Sequence, residues 1–160
     1  MNSYNGFSPE QRDKAQRWLR SEWSFGRLAR PSVCCVCGQD KGIIDAHAED
    51  YSEPFAAGKT DQFHLCYVCH MMVHCRFKNR DNWRAYRSEV RLSGRARPFH
   101  ARNFGQFAAM FLNGRFTPLQ QPPIAQLNNA GVEILDRIDS WLKRAQVADG
   151  ANALHLTKAC

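Results

Sequence analysis

Residues 65–74 read LCYVCHMMVH, and the cysteines of this stretch decide the expected fold. Cys66-x-x-Cys69 repeats the spacing of an upstream pair, Cys34-x-x-Cys37, and 28 residues lie between the two pairs. Two such pairs can surround one tetrahedral Zn²⁺ with thiolates about 2.3 Å from the ion, which leaves no open coordination position. A closed site of this kind is structural and contributes folding free energy. The alternative is two unrelated pairs, one of them redox-active.

The two histidines of the same stretch lie four positions apart. On a helix, His70 and His74 project from one face and can share a metal ion. His47 ends the extended segment 43–47, and Asp45 lies two residues before it on the same strand face. We therefore interpret the three histidines as a second constellation, in which His70 and His74 can share a divalent ion. For any one of these histidines taken alone, a structural role is the alternative.

The rest of the chain is predicted to be mostly helical. Short strands are expected over 43–47 and 63–65, and Ser8-Pro9 predicts the start of a first helix that ends near Glu22 with Ala15, Trp18 and Leu19 facing inward. Further helices are predicted over 69–77, 81–94, 104–112 and 129–146. Asp81 is the expected cap of the helix over 81–94. The last helix carries an apolar stripe of Val132, Leu135, Ile138 and Leu142.

The positive charge is concentrated in one segment. Between Arg76 and Arg102 there are nine basic and two acidic residues, an excess equal to the net charge of +7. Eight of the nine are arginines, and the guanidinium group pairs bidentately with phosphate oxygens. The segment therefore favours a polyanion-binding surface, with a merely solvated helix face as the alternative. The candidate DNA contacts are Arg76, Arg80, Arg84, Arg87 and Arg91.

Composition excludes several classes of protein. No run of about 18 apolar residues is present, so we expect no membrane partner. The first residues are polar and do not resemble a secretory signal, which predicts a cytoplasmic protein. The seven cysteines are an odd number, which argues against a disulfide framework in such a compartment. Cys75 is expected to be a buried free thiol, and Cys160 a free thiol in the tail.

Residues 44–54 read IDAHAEDYSEP, and together with 65–74 they resemble the signature of the HNH (ββα-metal) endonuclease family. The similarity is greatest to its zinc-containing phage and restriction-type branch. That branch often reads His-His-acid-Asp-Tyr-x-x-Pro and then Leu-Cys-x-x-Cys-His-x-x-x-His. The match covers residues 33–77, about a quarter of the chain.

The resemblance implies an α+β fold with a small ββα-metal core, held together by a four-cysteine zinc knuckle and flanked by additional helices. The expected organisation is an N-terminal helical extension (1–32), the nuclease core (33–80), an arginine-rich helical DNA-binding region (81–116) and a C-terminal helix and tail (117–160). In this family a histidine at the end of the first strand activates water, and the helix supplies metal ligands. The implied catalytic residues are His47, His70 and His74.

One departure from the family pattern concerns position 48. Relatives commonly have two adjacent histidines, of which the first is a metal ligand and the second the general base, whereas this chain has His47-Ala48. If that alignment holds, the base is missing and the polypeptide is impaired as an enzyme. If His47 is instead the base, Asp45 or Asp50 completes the metal shell. We favour His47 as the base, because Asp45 lies on the same strand face.

The resulting expectation is a bacterial or phage-encoded, metal-dependent DNA endonuclease that leaves 5′-phosphate and 3′-hydroxyl ends, with a homodimer as one assembly it could form. Its cofactors would be a structural Zn²⁺ and a catalytic Mg²⁺ or other divalent metal, and its main partner double-stranded DNA. Two alternatives stay open: a non-catalytic zinc-dependent DNA-binding module and an RNA-directed nuclease.

Overall fold

The computed structural model describes residues 3–94, 104–109 and 130–141. Its named elements are α1 (Pro9–Ser24), β1 (Ile44–His47), β2 (Phe63–Cys66), α2 (Tyr67–Lys78), α3 (Arg80–Ser93) and the short α4 (Phe104–Phe107). Residues 130–141 are also helical. Helices and a small antiparallel sheet are thus combined as expected for an α+β chain. Within the described ranges no helix has the length and apolar character needed to cross a membrane.

The first helix begins where the sequence predicts it. The Ser8 side chain accepts a hydrogen bond from the Gln11 backbone N–H, the Gln11 side chain accepts one from the Ser8 backbone N–H, and Pro9 opens the first turn. Such a reciprocal cap satisfies two backbone donors that the helix leaves free. Ala15 and Leu19 are buried as predicted, and Trp18 is half-buried with its ring centroid 6.0 Å from that of Phe55.

The two strands form a hairpin that leads directly into a helix. Ile44 pairs with Cys66 and His47 with Phe63, in antiparallel register. Cys66 is both the last residue of β2 and the N-cap of α2, so this helix starts at Tyr67, two residues earlier than predicted. A sheet of two strands is marginal in water by itself. The hairpin therefore depends on α2 and on the cysteines for its stability.

One asparagine joins the second and third helices. Asn79 ends α2 and is the N-cap of α3, where its side chain accepts a hydrogen bond from the Asn82 backbone N–H at 3.1 Å. The predicted cap, Asp81, lies instead within the first turn of α3. The helix ends at Gly94, whose φ of 75° is the left-handed conformation that favours glycine. The predicted C-terminus of this helix is confirmed.

The main hydrophobic core lies between the hairpin, α2 and α3. Phe63, Leu65, Met72, Val73 and Val90 are fully buried in it. Leu135 and Ile138 from residues 130–141 and Phe107 from α4 belong to the same core, and Val132 packs against it. The predicted stripe of the last helix is therefore confirmed as far as it is described, since Leu142 lies outside the described residues. The same applies to residues 110–112 of the predicted helix over 104–112.

Two of the α3 arginines predicted to contact DNA, Arg87 and Arg91, contact carboxylates of residues 130–141 instead. Arg87 donates to Asp136 at 2.9 Å and also pairs with Asp139, and its side chain is only 23% exposed. Arg91 is 3.4 Å from Asp136. Arg87, predicted to contact DNA, thus joins α3 to residues 130–141, whereas Arg80 and Arg84 are exposed.

We expect Arg87→Met to lower the free energy of unfolding by about 1 kcal/mol, because Asp139, which is mostly buried, loses its cation, while Arg91 still lies beside Asp136. Arg84→Met is the matched control on the same helix, since the ion-pair partner of Arg84 among the described residues is the exposed Asp81, at 3.2 Å; it should change stability by less than about 0.5 kcal/mol. Urea denaturation measures both. If the two substitutions changed the free energy of unfolding equally, the contacts of Arg87 with residues 130–141 would contribute nothing to stability.

Candidate functional site

Four buried cysteines converge where the turn of residues 34–38 meets the β1–β2 hairpin. Cys34 and Cys37 lie in a turn closed by a hydrogen bond from Gly38 N–H to the Cys34 carbonyl at 2.8 Å, with Gly38 at a φ of 73°. Cys66 and Cys69 come from the end of β2 and the first turn of α2. The sulfur atoms of all four lie within 4.8 Å of one another. These four residues are termed the cysteine cluster.

The geometry of the cysteine cluster fits a tetrahedral ion. Thiolates about 2.3 Å from a tetrahedral Zn²⁺ have sulfur atoms about 3.8 Å apart. The sulfur atoms of Cys37 and Cys66 are 3.7 Å apart. Hydrogen bonds from the other three thiols lower the pKa of Cys34, and hydrogen bonds to Cys34 and its neighbours raise the pKa of Cys69. The four buried cysteines could therefore hold a metal ion such as zinc.

Two further cysteines lie outside the cluster. The backbone N–H of Cys35 donates to the His64 carbonyl at 2.8 Å, which attaches the turn to β2. Burial raises the pKa of Cys35 to about 12. Cys75 is a buried free thiol, as predicted, and burial raises its pKa too. Both thiols are therefore protonated at neutral pH, and Cys160 lies outside the described residues.

Three histidines form a second group, termed the histidine cluster, on the other side of α2. His47 ends β1, and His70 and His74 lie one turn apart on α2, with one ring nitrogen of each within 4.8 Å of the others. The Nε2 atoms of His70 and His74 are 3.1 Å apart. Two imidazoles bound to a tetrahedral ion at about 2.0–2.1 Å have nitrogens about 3.3 Å apart. The spacing of the histidine cluster therefore fits a shared divalent ion.

Burial keeps two imidazoles of the histidine cluster, His47 and His74, neutral. Desolvation and the neighbouring imidazoles lower the pKa of His74 to about 3. Desolvation likewise lowers the pKa of His47 to about 4, although Glu49 opposes the shift. Neutral imidazole is the form that binds metals. At pH 7 both rings are therefore in the ligand state before any ion binds.

Asp45 is not among the residues whose ligand atoms converge. Its carboxylate Oδ2 lies 3.0 Å from Nδ1 of His70. A carboxylate in that place accepts the Nδ1 proton and leaves the Nε2 lone pair of His70 for an ion. The direct metal contact predicted for Asp45 is thus replaced by a contact that orients His70.

His47 is held by a buried polar network. Its Nε2 lies 2.8 Å from Glu49 Oε1 and 3.0 Å from the Tyr4 hydroxyl. Arg76 donates to both Glu49 oxygens, at 2.8 and 2.6 Å, and to the Tyr4 hydroxyl at 2.9 Å. The Tyr4 hydroxyl in turn donates to Glu49 at 3.0 Å.

The network determines the tautomer of His47. Burial by itself would raise the pKa of Glu49. The hydrogen bonds that Glu49 accepts from His47 and Arg76 outweigh burial and lower this pKa to about 2. An ionised carboxylate only accepts hydrogen bonds, so Nε2 of His47 carries the proton. The lone pair on Nδ1 is then available to an ion. A free lone pair on Nδ1 suits His47 both to bind a metal ion and to act as a general base.

Two findings differ from the sequence analysis at this point. Arg76 was a predicted DNA contact, but it is only 2% exposed and its guanidinium is used by Glu49 and Tyr4. It therefore cannot reach a phosphate on the surface. Glu49 and Tyr4 were not predicted to belong to the site. The position of Glu49 two residues after His47 was the available signal, whereas Tyr4 is brought in by a contact across 43 residues.

Ala48 packs away from the surface. It is 2% exposed and lies in a small apolar cluster with Tyr4, Ala15 and Tyr51. The position that carries a histidine in the family pattern is thus filled here by a small apolar side chain between α1 and the loop after β1. Nothing at position 48 can accept a proton.

No family model, curated protein or solved structure matches this chain with significance.

We expect Cys66→Ser to lose the ion bound by the cysteine cluster and to be unfolded at 25 °C. A structural Zn²⁺ contributes about 10–16 kcal/mol of apparent binding free energy, as much as a domain of this size has in total stability. Cys75→Ser removes a buried thiol outside the cluster and should keep the ion. Elemental analysis and circular dichroism of both variants measure this. A folded Cys66→Ser protein with unchanged metal content would contradict the assignment.

Glu49→Gln should lower the free energy of unfolding by about 3–5 kcal/mol, because Arg76 then keeps a buried charge without its carboxylate. Glu53→Gln is the matched control, since Glu53 pairs with Lys14 at the surface and should cost less than about 1 kcal/mol. Chemical denaturation gives both values. If the two substitutions cost the same, the Tyr4 hydroxyl alone compensates the Arg76 charge.

Proposed function

We propose that the chain is a metal-dependent phosphodiesterase acting on nucleic acid, of the endonuclease type that the resemblance implies. The observation that carries the proposal is the convergence of His47, His70 and His74 at the junction of β1 and α2, where one ring nitrogen of each lies within 4.8 Å of the others. A hairpin followed directly by a helix, with histidines at the strand end and on the helix, is the arrangement expected of a ββα-metal core. The cysteine cluster, proposed to bind a structural Zn²⁺, would hold the two parts together.

The residues of the chain have distinct roles in this proposal. His47, His70 and His74 would hold the ion, and Asp45 and Glu49 would fix the rings of His70 and His47. A divalent ion there would act as a Lewis acid on the scissile phosphate and as a template for in-line attack by water. Imidazole ligands favour Mn²⁺, Co²⁺, Ni²⁺ or Zn²⁺ over Mg²⁺. The products would carry 5′-phosphate and 3′-hydroxyl ends.

The weak point of this site as an enzyme is proton transfer. With all three imidazoles used as ligands, no histidine of the cluster is left to accept the proton of the attacking water. Positioned general bases contribute about 10²–10⁴-fold to such reactions. Because Ala48 stands where relatives commonly have the second histidine, we expect slow cleavage by this chain.

Nucleic-acid binding would use the exposed basic residues. Lys78, Arg80 and Arg84 lie at the end of α2 and the start of α3, next to the helix that carries His70 and His74, and all three are exposed. Contacts of this type hold phosphates without reading bases. Double-stranded DNA is the partner that the resemblance implies, and RNA has the same phosphate chemistry.

A non-catalytic, zinc-dependent nucleic-acid-binding module is the second candidate. The observation that favours it is the burial of Ala48 among apolar side chains, because a site without a base is well suited to holding a phosphate and poorly suited to hydrolysing it. In that case the histidine cluster would hold an ion whose positive charge attracts a phosphate of an intact strand.

The experiment is a nicking assay on supercoiled plasmid in the presence of Mn²⁺. We expect slow nicking by the unchanged chain and loss of nicking in His70→Ala, with the ion of the cysteine cluster retained. His64→Ala is the matched control: His64 lies on β2 opposite Ala46 and outside the histidine cluster, so its loss should leave the rate unchanged. Ala48→His should raise the rate by about 10² if position 48 is the base position.

The outcomes separate the candidates. Nicking that survives loss of His70 would contradict the proposed metal site. Inertness of the unchanged chain and of a folded Ala48→His variant, with DNA binding intact, would support the binding module. An RNA substrate in the same assay distinguishes the two polymers, and a melting curve of Ala48→His shows whether the added ring is tolerated in its packed position.

A further inference from the structure

A cavity of about 670 Å³ opens beside His74. Its walls come from the N-terminal turn, the outer side of α2 and α4. Apolar surface is contributed by Met71, Phe77 and Phe107, and basic groups by Arg12 and Lys78. The cavity is large enough for a nucleotide, and it adjoins the histidine cluster through the ring of His74.

An aromatic ring forms part of the wall. Phe77 is 40% exposed, which is unusual for a phenylalanine so close to the core, and it lines the cavity. The Arg76 guanidinium lies 4.6 Å from its ring centroid and the Tyr4 ring packs edge-on at 5.4 Å, so the ring is held in place. A fixed, partly exposed ring is a stacking platform for a nucleobase.

We propose that this cavity, here termed the base pocket (Tyr4, Asn5, Met71, His74, Phe77, Phe107), receives one unpaired nucleobase of the bound strand. The base stacks on Phe77, and its flanking phosphate lies toward the histidine cluster, with Lys78 and Arg12 at the rim. This inference rests on the proposed function and narrows its substrate to strands with an unstacked nucleotide, such as a single strand or a duplex with a bulge.

The shape of the base pocket favours an unpaired nucleotide over a base-paired duplex. Bases in a duplex are covered on both faces by their neighbours, and their pairing edges are occupied. Extrusion of a base from a duplex costs a few kcal/mol, and this cost is smallest for bases that are already unpaired. The exposed face of Phe77 is therefore accessible mainly to unpaired nucleotides.

The test measures binding by fluorescence anisotropy, using the full metal-loaded chain and labelled oligonucleotides of one sequence. Single-stranded DNA and a duplex with a one-nucleotide bulge should bind about tenfold more tightly than the perfect duplex, because one stacked base contributes about that much. Phe77→Ala should abolish the difference without weakening duplex binding, and Phe77→Trp should restore it. Phe25→Ala is the matched control, since Phe25 is 70% exposed at the end of α1 and does not line the cavity.

A fluorescent base analogue gives a second readout. With 2-aminopurine at the bulge, binding to the unchanged chain should quench the fluorescence through stacking, and binding to Phe77→Ala should not. Equal affinity for all three oligonucleotides, or a preference that Phe77→Ala leaves intact, would overturn the base pocket.

A cleavage assay on the same oligonucleotides keeps this result distinct from the proposed function. Cleavage without any preference for unpaired nucleotides would contradict the base pocket and still support the nuclease function. A Phe77-dependent binding preference without cleavage would support the base pocket and favour the non-catalytic binding module over the nuclease.

Discussion

A buried ion pair, Glu49 with Arg76, is the interaction on which the histidine site depends. Neither side chain reaches solvent, so each charge must be compensated inside the protein. The pair connects the N-terminal turn through Tyr4, the end of β1 through His47 and the last turn of α2 through Arg76 itself. Burying charge in this way contributes little net stability, but both charges are compensated only when the three segments meet as they do here. The direction of the His47 ring is a consequence of that arrangement.

The two candidate metal clusters are mechanically coupled through α2. Cys69 and His70 are neighbours in sequence, and the first turn of the helix carries a residue of each cluster. An ion in the cysteine cluster would fix the start of α2 against β2 and the turn that holds Cys34 and Cys37. The separation between His47 and the histidines of α2 then varies little, which is the condition for binding an ion with a demanding geometry.

Features with a local signal could be predicted from the sequence. The cysteine pairs, the i and i+4 histidines, the capping of α1 and the end of α3 at Gly94 all depend on residues close together in the chain, where spacing fixes geometry. The contacts of Arg76, Arg87 and Asp45 could not be predicted, because their partners lie 27, 49 and 25 residues away. A count of arginines does not distinguish a guanidinium at the surface from one that is neutralised internally. The fold was therefore more predictable than the charge distribution of its surface.

The shared cap at Asn79 has a consequence for the modularity of the chain. Because one residue ends α2 and starts α3, there is no linker between the helix that carries the histidines and the one that carries the arginines. One inserted residue would rotate α3 by about 100° about its axis and turn its apolar face out of the core. The two helices thus form one rigid unit with a fixed angle between them. A change in the length of either helix at Asn79 therefore requires a compensating change in the other.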